Sequence, residues 1–228
     1  MNKPDEFVTE VLGRPFCPML LAEEPDGIGL EGLPGLRRKS WSGQNLPMVL
    51  QATDFQVRRA VEIGNSGFLC NSWSGLSKYA KREILLAWAD QISEKSGQLA
   101  LINCFETGRS IRSLVDDSLP KAIKTLKWFA ELADKLEDRS VHTGEFGADF
   151  ALVRKEPIGL VVAILPWNDP LVTFVWKIAP ALIMGNAVIV KPSEFATIVI
   201  REVIHLGHKA GIPKDHLQML SGNGHVGE

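Results

Sequence analysis

Three apolar segments of strand length, Ile158 to Leu165, Ala187 to Val190 and His216 to Leu220, alternate with two helical segments, about Leu171 to Met184 and Ala196 to Ala210. Strands apolar at nearly every position are buried on both faces, and an intervening helix lets consecutive strands run parallel. Right-handed crossovers then bring the strands' carboxyl ends to one edge of the sheet, where ligands of such sheets bind. Gly185-Asn186 punctuates the first helix, and Gly211, with Pro213 just beyond, the second. Pro166 to Pro170 and Lys191 to Glu194 both follow strands directly, so the two loops should converge on one pocket. The expected class is α/β, a parallel sheet with helices on both faces.

Upstream the period is less regular. Residues 1–50 hold Gly27, Gly29, Gly32, Pro34, Gly35, Gly43 and Pro47, which predicts an irregular segment with a short strand near Met48 to Gln51. Asp54 can cap a helix containing Val57, Ala60, Val61 and Gly64. After Ser77 a longer helix sets Ile84, Leu85, Trp88, Ala89 and Ile92 on one face and Lys81, Arg82, Asp90 and Glu94 on a solvated one, with Gly97 placed to stop it. Pro120 opens or kinks another, whose stripe of Leu126, Phe129, Ala130, Ala133 and Leu136 reads as core packing. Past a turn at Gly144 to Gly147, the alternation of Phe150, Leu152 and Arg154 predicts a strand.

Composition narrows the partners. With 25 basic and 27 acidic residues the net charge is -2, and no run of one sign is long enough to track a phosphodiester backbone, so nucleic acid is not expected. The apolar stretches are interrupted by Pro166, Asn168, Asp169 and Lys177, short of the about 20 residues a bilayer span needs. Asp5, Glu6 and Glu10 near the start do not resemble a secretory leader, so the expected compartment is the cytoplasm. Cys17, Cys70 and Cys104 form no CxxC and read as reduced thiols, Cys104 packed among Leu99, Ala100, Ile102 and Phe105. His205 and His208 could share a metal but lack a third ligand, so none is expected.

Asn168 lies in a loop braced by Pro166 and Pro170, which restrict the backbone and so fix where its amide points. Such an amide can donate to an oxyanion that develops when a nucleophile adds to a carbonyl; the alternative is an Asn stabilising its own turn. Ile164-Leu165-Pro166-Trp167-Asn168, Lys177-Ile178-Ala179-Pro180-Ala181-Leu182, Gly185-Asn186 and Lys191-Pro192-Ser193-Glu194, in this order, resemble the aldehyde dehydrogenase superfamily. The resemblance implies a partial aldehyde dehydrogenase-like fold with a Rossmann-type sheet. It implies an oxyanion role for Asn168 and a proton-handling role for Lys177, for which the alternative is a solvated helix lysine. It further implies a cofactor loop at Ile164, Leu165, Pro166 and Trp167, with Lys191, Ser193 and Glu194 on the adenosine side. A carboxylate at Glu194 suits two ribose hydroxyls and repels a 2'-phosphate, which favours NAD over NADP.

Gly222-Asn223-Gly224-His225-Val226-Gly227 spells GxGxxG, a weak signal here, since no helix or ribose-binding acid follows it. The resemblance instead puts Gly222 and Gly224 in a turn beside the adenine and leaves Gly227 unassigned. A weaker likeness extends upstream through Trp73-Ser74, Arg82, Leu85, Ala89-Asp90 and Glu106-Thr107-Gly108-Arg109. The stretch Thr107 to Lys135, with Ile111-Arg112, Asp116-Asp117, Pro120 and Trp128-Phe129, is most similar to gamma-glutamyl-gamma-aminobutyraldehyde and other aminoaldehyde dehydrogenases. That implies Asp117 as an attractor for an amine-bearing substrate; the alternative is a solvated helix acid.

The implied organisation is an irregular segment 1–50, a helical part of the cofactor domain 51–148, a strand region 149–157 resembling an oligomerisation arm, and an incomplete NAD-binding core 158–228. The family's cysteine nucleophile, glutamate base and second cofactor loop lie beyond the matched region, so the fold is expected to be truncated before the catalytic domain and the chain alone inactive. The implied reaction is NAD-dependent oxidation of an aldehyde to the acid, in a homo-oligomer. The alternative is a noncatalytic fragment that binds NAD or docks on other subunits through Phe150 to Arg154. A self-contained Rossmann reductase would need a glycine-rich turn after Leu165, where Pro-Trp-Asn stands instead.

Overall fold

The computed structural model describes residues 19–20, 35–36, 46, 49–142 and 150–228. The turn expected at Gly144 to Gly147, and Cys17, lie outside them. Eight strands are described: β1 Met19–Leu20, β2 Gly35–Leu36, β3 Val49–Leu50, β4 Arg139–His142, β5 Phe150–Val153, β6 Leu160–Ile164, β7 Ala187–Lys191 and β8 Leu217–Leu220. The helices are α1 Asp54–Cys70, α2 Lys78–Glu94, α3 Ser96–Thr107, the single turn α4 Ile111–Ser113, α5 Leu119–Glu131, α6 Pro170–Ile183 and α7 Thr197–Ala210. A π-helical turn, Leu114–Ser118, joins α4 to α5.

The central sheet has the order β1-β8-β7-β6, with β6, β7 and β8 parallel as the alternation predicts. β7 is buried at every position, whereas β6 is an edge strand that leaves Val162 and Ile164 more than half exposed. One strand of this sheet was not anticipated: β1 pairs antiparallel with β8, Met19 opposite Leu220, so β8 is not left bare on its far side. Helix α1 packs on β6, β7 and β8 over one face, while α6 and α7 cover the other. Behind them α2, α3 and α5 form a further helical layer.

The core lies between that layer and the sheet. Trp88 stands edge-on to Phe174, ring centroids 5.8 Å apart, and its indole N–H donates to the Val203 carbonyl at 2.8 Å. The Trp73 indole does the same for Leu182, also at 2.8 Å, so both fully buried tryptophans have their polar edge satisfied. Asn186 explains why a polar residue closes α6: its Oδ1 accepts the N–H groups of Ile158 and Gly159, and its Nδ2 donates to the Ala181 carbonyl, tying the entry of β6 to the end of α6.

Several local expectations are corrected. The cap of α1 is Thr53, not Asp54: Thr53 Oγ1 accepts from Gln56 N while Gln56 Oε1 accepts from Thr53 N, a capping box. Ser77 does cap α2, but Gly97 does not stop it; α2 ends at Glu94 and Gly97 sits inside α3. Lys81, placed on the solvated face, is buried, its Nζ donating to the Ser74 carbonyl at 3.0 Å. Burial, with Lys78 nearby, holds its ammonium below the ordinary lysine value. The strand expected at Phe150 is present as β5, paired antiparallel with β4, which was not anticipated. Among the described residues no helix is long and apolar enough to cross a membrane, and no group of His, Cys, Asp or Glu could hold a metal ion.

Candidate functional site

Register brings the two loops together. Ile164 at the end of β6 is opposite Lys191 at the end of β7, and Leu165 N donates to the Lys191 carbonyl at 3.0 Å. The chain after β8 returns to the same edge: a Cβ built on Gly227 would lie 3.2 Å from Lys191 Cδ and 3.7 Å from Ile164 Cδ1. Gly222 has φ +156, and a Cβ there would collide with Val226 at 2.4 Å. Gly224 is exposed, with open space where a side chain would be.

Within this edge Leu165 is buried and anchors the first loop, while Ile164, Pro166, Trp167 and Asn168 are exposed along it. The Asn168 side-chain amide has no hydrogen-bond partner among the described residues; only its backbone carbonyl is engaged, by Arg109. On the second loop Ser193 Oγ accepts from Phe195 N at 3.3 Å and lies 3.4 Å from Glu194 Oε2, setting the turn Glu194–Ala196 that leads into α7. Lys191 is buried along its stem, which lowers its pKa, and the Glu194 carboxylate partly offsets that. No hydrogen bond or ion pair to a described residue takes up its ammonium. A carboxylate, and an ammonium and an amide without hydrogen-bond partners among the described residues, thus share one sheet edge with the turn that holds Gly227.

The remaining candidates lie outside the two loops. Lys177 is exposed on α6, one residue after Trp176, which borders a surface cleft of about 430 Å³ with Lys124, Thr125, Trp128 and Phe129. Asp117 lies in the π-helical turn with its carboxylate 2.7 Å from Lys121 Nζ, an ion pair within its own helical run. The Cys104 side chain packs against the core and Cys70 is exposed at the end of α1.

Two residues of the site's support carried no sequence signal of their role. Glu106, at the end of α3, is buried and accepts the N–H groups of Ile198 and Val199 in the first turn of α7. Arg109, three residues on, reaches the Asn168 loop. The run Glu106-Thr107-Gly108-Arg109 belongs to the upstream likeness, but nothing in it tells which groups the two charges bind.

Residues 38–228 match the sequence profile of the Aldehyde dehydrogenase family, well over half of the chain. The chain belongs to the aldehyde dehydrogenase family. Among curated proteins it is similar to the NADP/NAD-dependent aldehyde dehydrogenase PuuC of Escherichia coli (strain K12), 32% identical over 180 residues covering 79% of this chain and 36% of that one. It is 34% identical to the aminoacetaldehyde dehydrogenase of Pseudomonas aeruginosa over 183 residues, 80% of this chain and 36% of that one. The structure superposes on the crystal structure of gamma-glutamyl-gamma-aminobutyraldehyde dehydrogenase from Burkholderia cenocepacia J2315 with a TM-score of 0.84 at 29% identity, covering 97% of this chain and 44% of that one. This aldehyde dehydrogenase chain thus spans about a third of the length of the curated relatives it matches.

Proposed function

We propose that this chain supplies the dinucleotide-binding part of an enzyme that oxidises an aldehyde, of the aminoaldehyde class, to the carboxylic acid with NAD. The observation that carries the reading is the register match of Ile164 and Lys191, which sets Glu194, the unpartnered Lys191 ammonium and the free Asn168 amide on adjacent loops at one sheet edge. Lys191 and Glu194 hold the adenosine ribose, Ser193 sets the turn that aims Glu194, Gly222 lets the following turn close on Val226, and Gly224 leaves room beside the adenine. Ile164, Leu165, Pro166 and Trp167 line the nicotinamide side. The nicotinamide, when bound, accepts hydride. Asn168 donates to the aldehyde oxygen as negative charge develops on it, and Lys177 handles protons near it. Asp117 draws the amine end of the substrate, exchanging its contact with Lys121.

Phe150 and Leu152, each more than 60% exposed and on one face of the β4–β5 pair, favour assembly with further subunits. Of the described cysteines, Cys70 is exposed at the end of α1 and Cys104 packs against the core, neither on the Asn168 loop, so the chain assayed by itself is expected to bind NAD without oxidising aldehyde.

Calorimetry of the purified chain with NAD tests the reading. Saturable binding that Glu194→Ala weakens about tenfold or more, the loss of hydrogen bonds to a charged acceptor, is the expected result. Absence of binding by the unaltered chain would sink it, and aldehyde turnover by the 228 residues would overturn the account of the nucleophile.

A further inference from the structure

The loop carrying Asn168 is held from a distant part of the chain. Arg109 Nη1 donates to the Asn168 carbonyl at 3.3 Å, and its Nη2 donates to Ser113 Oγ at 3.1 Å. Nη1 also lies 2.8 Å from Asp169 Oδ1; the contact is an ion pair rather than an aligned hydrogen bond. Ser118 Oγ donates to the other Asp169 oxygen at 3.3 Å. The two charged side chains are only 24% and 27% exposed, so solvent screens their attraction less than on an open surface. Gly108, with φ +77, turns the chain sharply after α3 and delivers Arg109 to this position.

We propose that Arg109 is a positioning residue for Asn168. The inference rests on the reading of Asn168 as the oxyanion donor. An amide aimed at a developing charge contributes only when it is already in place, and the prolines at 166 and 170 restrain the loop only from within. Arg109 fixes the Asn168 peptide plane through its carbonyl and leaves the side-chain amide free. It anchors the next residue through Asp169, which Ser118 holds from the opposite side. A planar guanidinium can serve the Ser113, Asn168 and Asp169 acceptors together; an ammonium is a point charge that cannot keep all three.

The test uses the full 228-residue chain labelled with 5-fluorotryptophan, the fluorine line of Trp167 being assigned by its loss in Trp167→Phe. Arg109→Ala should shift and broaden that line while the lines of the buried Trp73 and Trp88 stay in place, and Arg109→Lys should recover it in part. Asp169→Asn should move the same line, and it serves if Arg109→Ala does not fold. A Trp167 line that stays put in Arg109→Ala, or in Asp169→Asn where only that variant folds, would overturn the proposal. NAD calorimetry on the same samples separates the two readings. If the unaltered chain fails to bind NAD while its Trp167 line still answers to Arg109, the brace stands and the cofactor reading falls.

Discussion

Glu106 reaches Val199 across 93 positions of the chain, its Oε2 accepting the backbone N–H at 2.8 Å while Oε1 takes that of Ile198 at 2.9 Å. The first N–H groups of a helix have no acceptor within it, and a carboxylate there also faces the positive end of the helix dipole. Glu106→Ala leaves both groups buried without a partner, a loss of about 3 kcal/mol. Urea unfolding should show a lower midpoint with an unchanged slope, and Glu106→Gln, which keeps one acceptor oxygen, should lie between. A wild-type midpoint for the alanine variant would remove Glu106 from the account of α7.

Gly222→Ala puts a methyl where Val226 Cγ2 would be 2.4 Å away, at a φ of +156 that side chains rarely adopt. The Gly224–Gly227 turn must then move off Lys191, and NAD affinity should fall. Adding Val226→Ala relieves the collision but not the backbone strain, so calorimetry should show partial recovery. Full affinity in the single variant would mean that this turn lies away from the dinucleotide.

Glu194 should govern the choice between cofactors. Its replacement by Ser keeps a hydroxyl partner and removes the charge facing a 2'-phosphate. The NADP to NAD affinity ratio should then rise by about tenfold, corresponding to about 1.4 kcal/mol of relieved repulsion. Titrations of both dinucleotides against both proteins measure it, and an unchanged ratio would place the ribose elsewhere.

His208 should make stability fall in mild acid. Its Nε2–H donates to the Leu217 carbonyl at 2.8 Å. Burial pushes the imidazole below its ordinary 6.5; the Leu217 bond opposes this, and Lys214 and His205 add to it. Between the lowered folded value and 6.5 the unfolded chain binds more protons than the folded one, so stability rises with pH there and is lost as pH falls through that window. The thermal midpoint of the wild type should drop more from about pH 7.5 to about 5.5 than that of His208→Gln, which keeps a donor but cannot titrate. Parallel curves would refute this.

Legibility followed the range of the interactions. The parallel core, the Gly211 stop and the Ser77 cap were readable because each rests on a local signal: unbroken apolar runs, a residue with φ +114, and a hydroxyl one position before a helix. The Thr53 cap also has a local signal, Thr and Gln three apart, but the adjacent Asp54 is an equally good capping residue by type. Lys81 misled because a charge normally marks the wet face, whereas its long stem carries the amine to a backbone carbonyl inside. β1 and β4 gave nothing to read, one being two residues long and the other exposed at every position. At the candidate site, the convergence of the two loops was legible from the strand pattern, while the contacts that support them were not. Glu106 and Arg109 act on partners 93 and 59 positions away, and no spacing rule encodes such pairs.

Gly108 lies between those two supports. Because Glu106 fastens the helix that follows one loop and Arg109 fastens the other loop directly, both are referred to the same four residues of backbone. When such a common mount shifts, everything bolted to it shifts in the same sense, so the spacing between the loops is preserved even where their absolute position is not. A displacement of the outer helical layer is therefore expected to carry the two loops together rather than to change the distance between them.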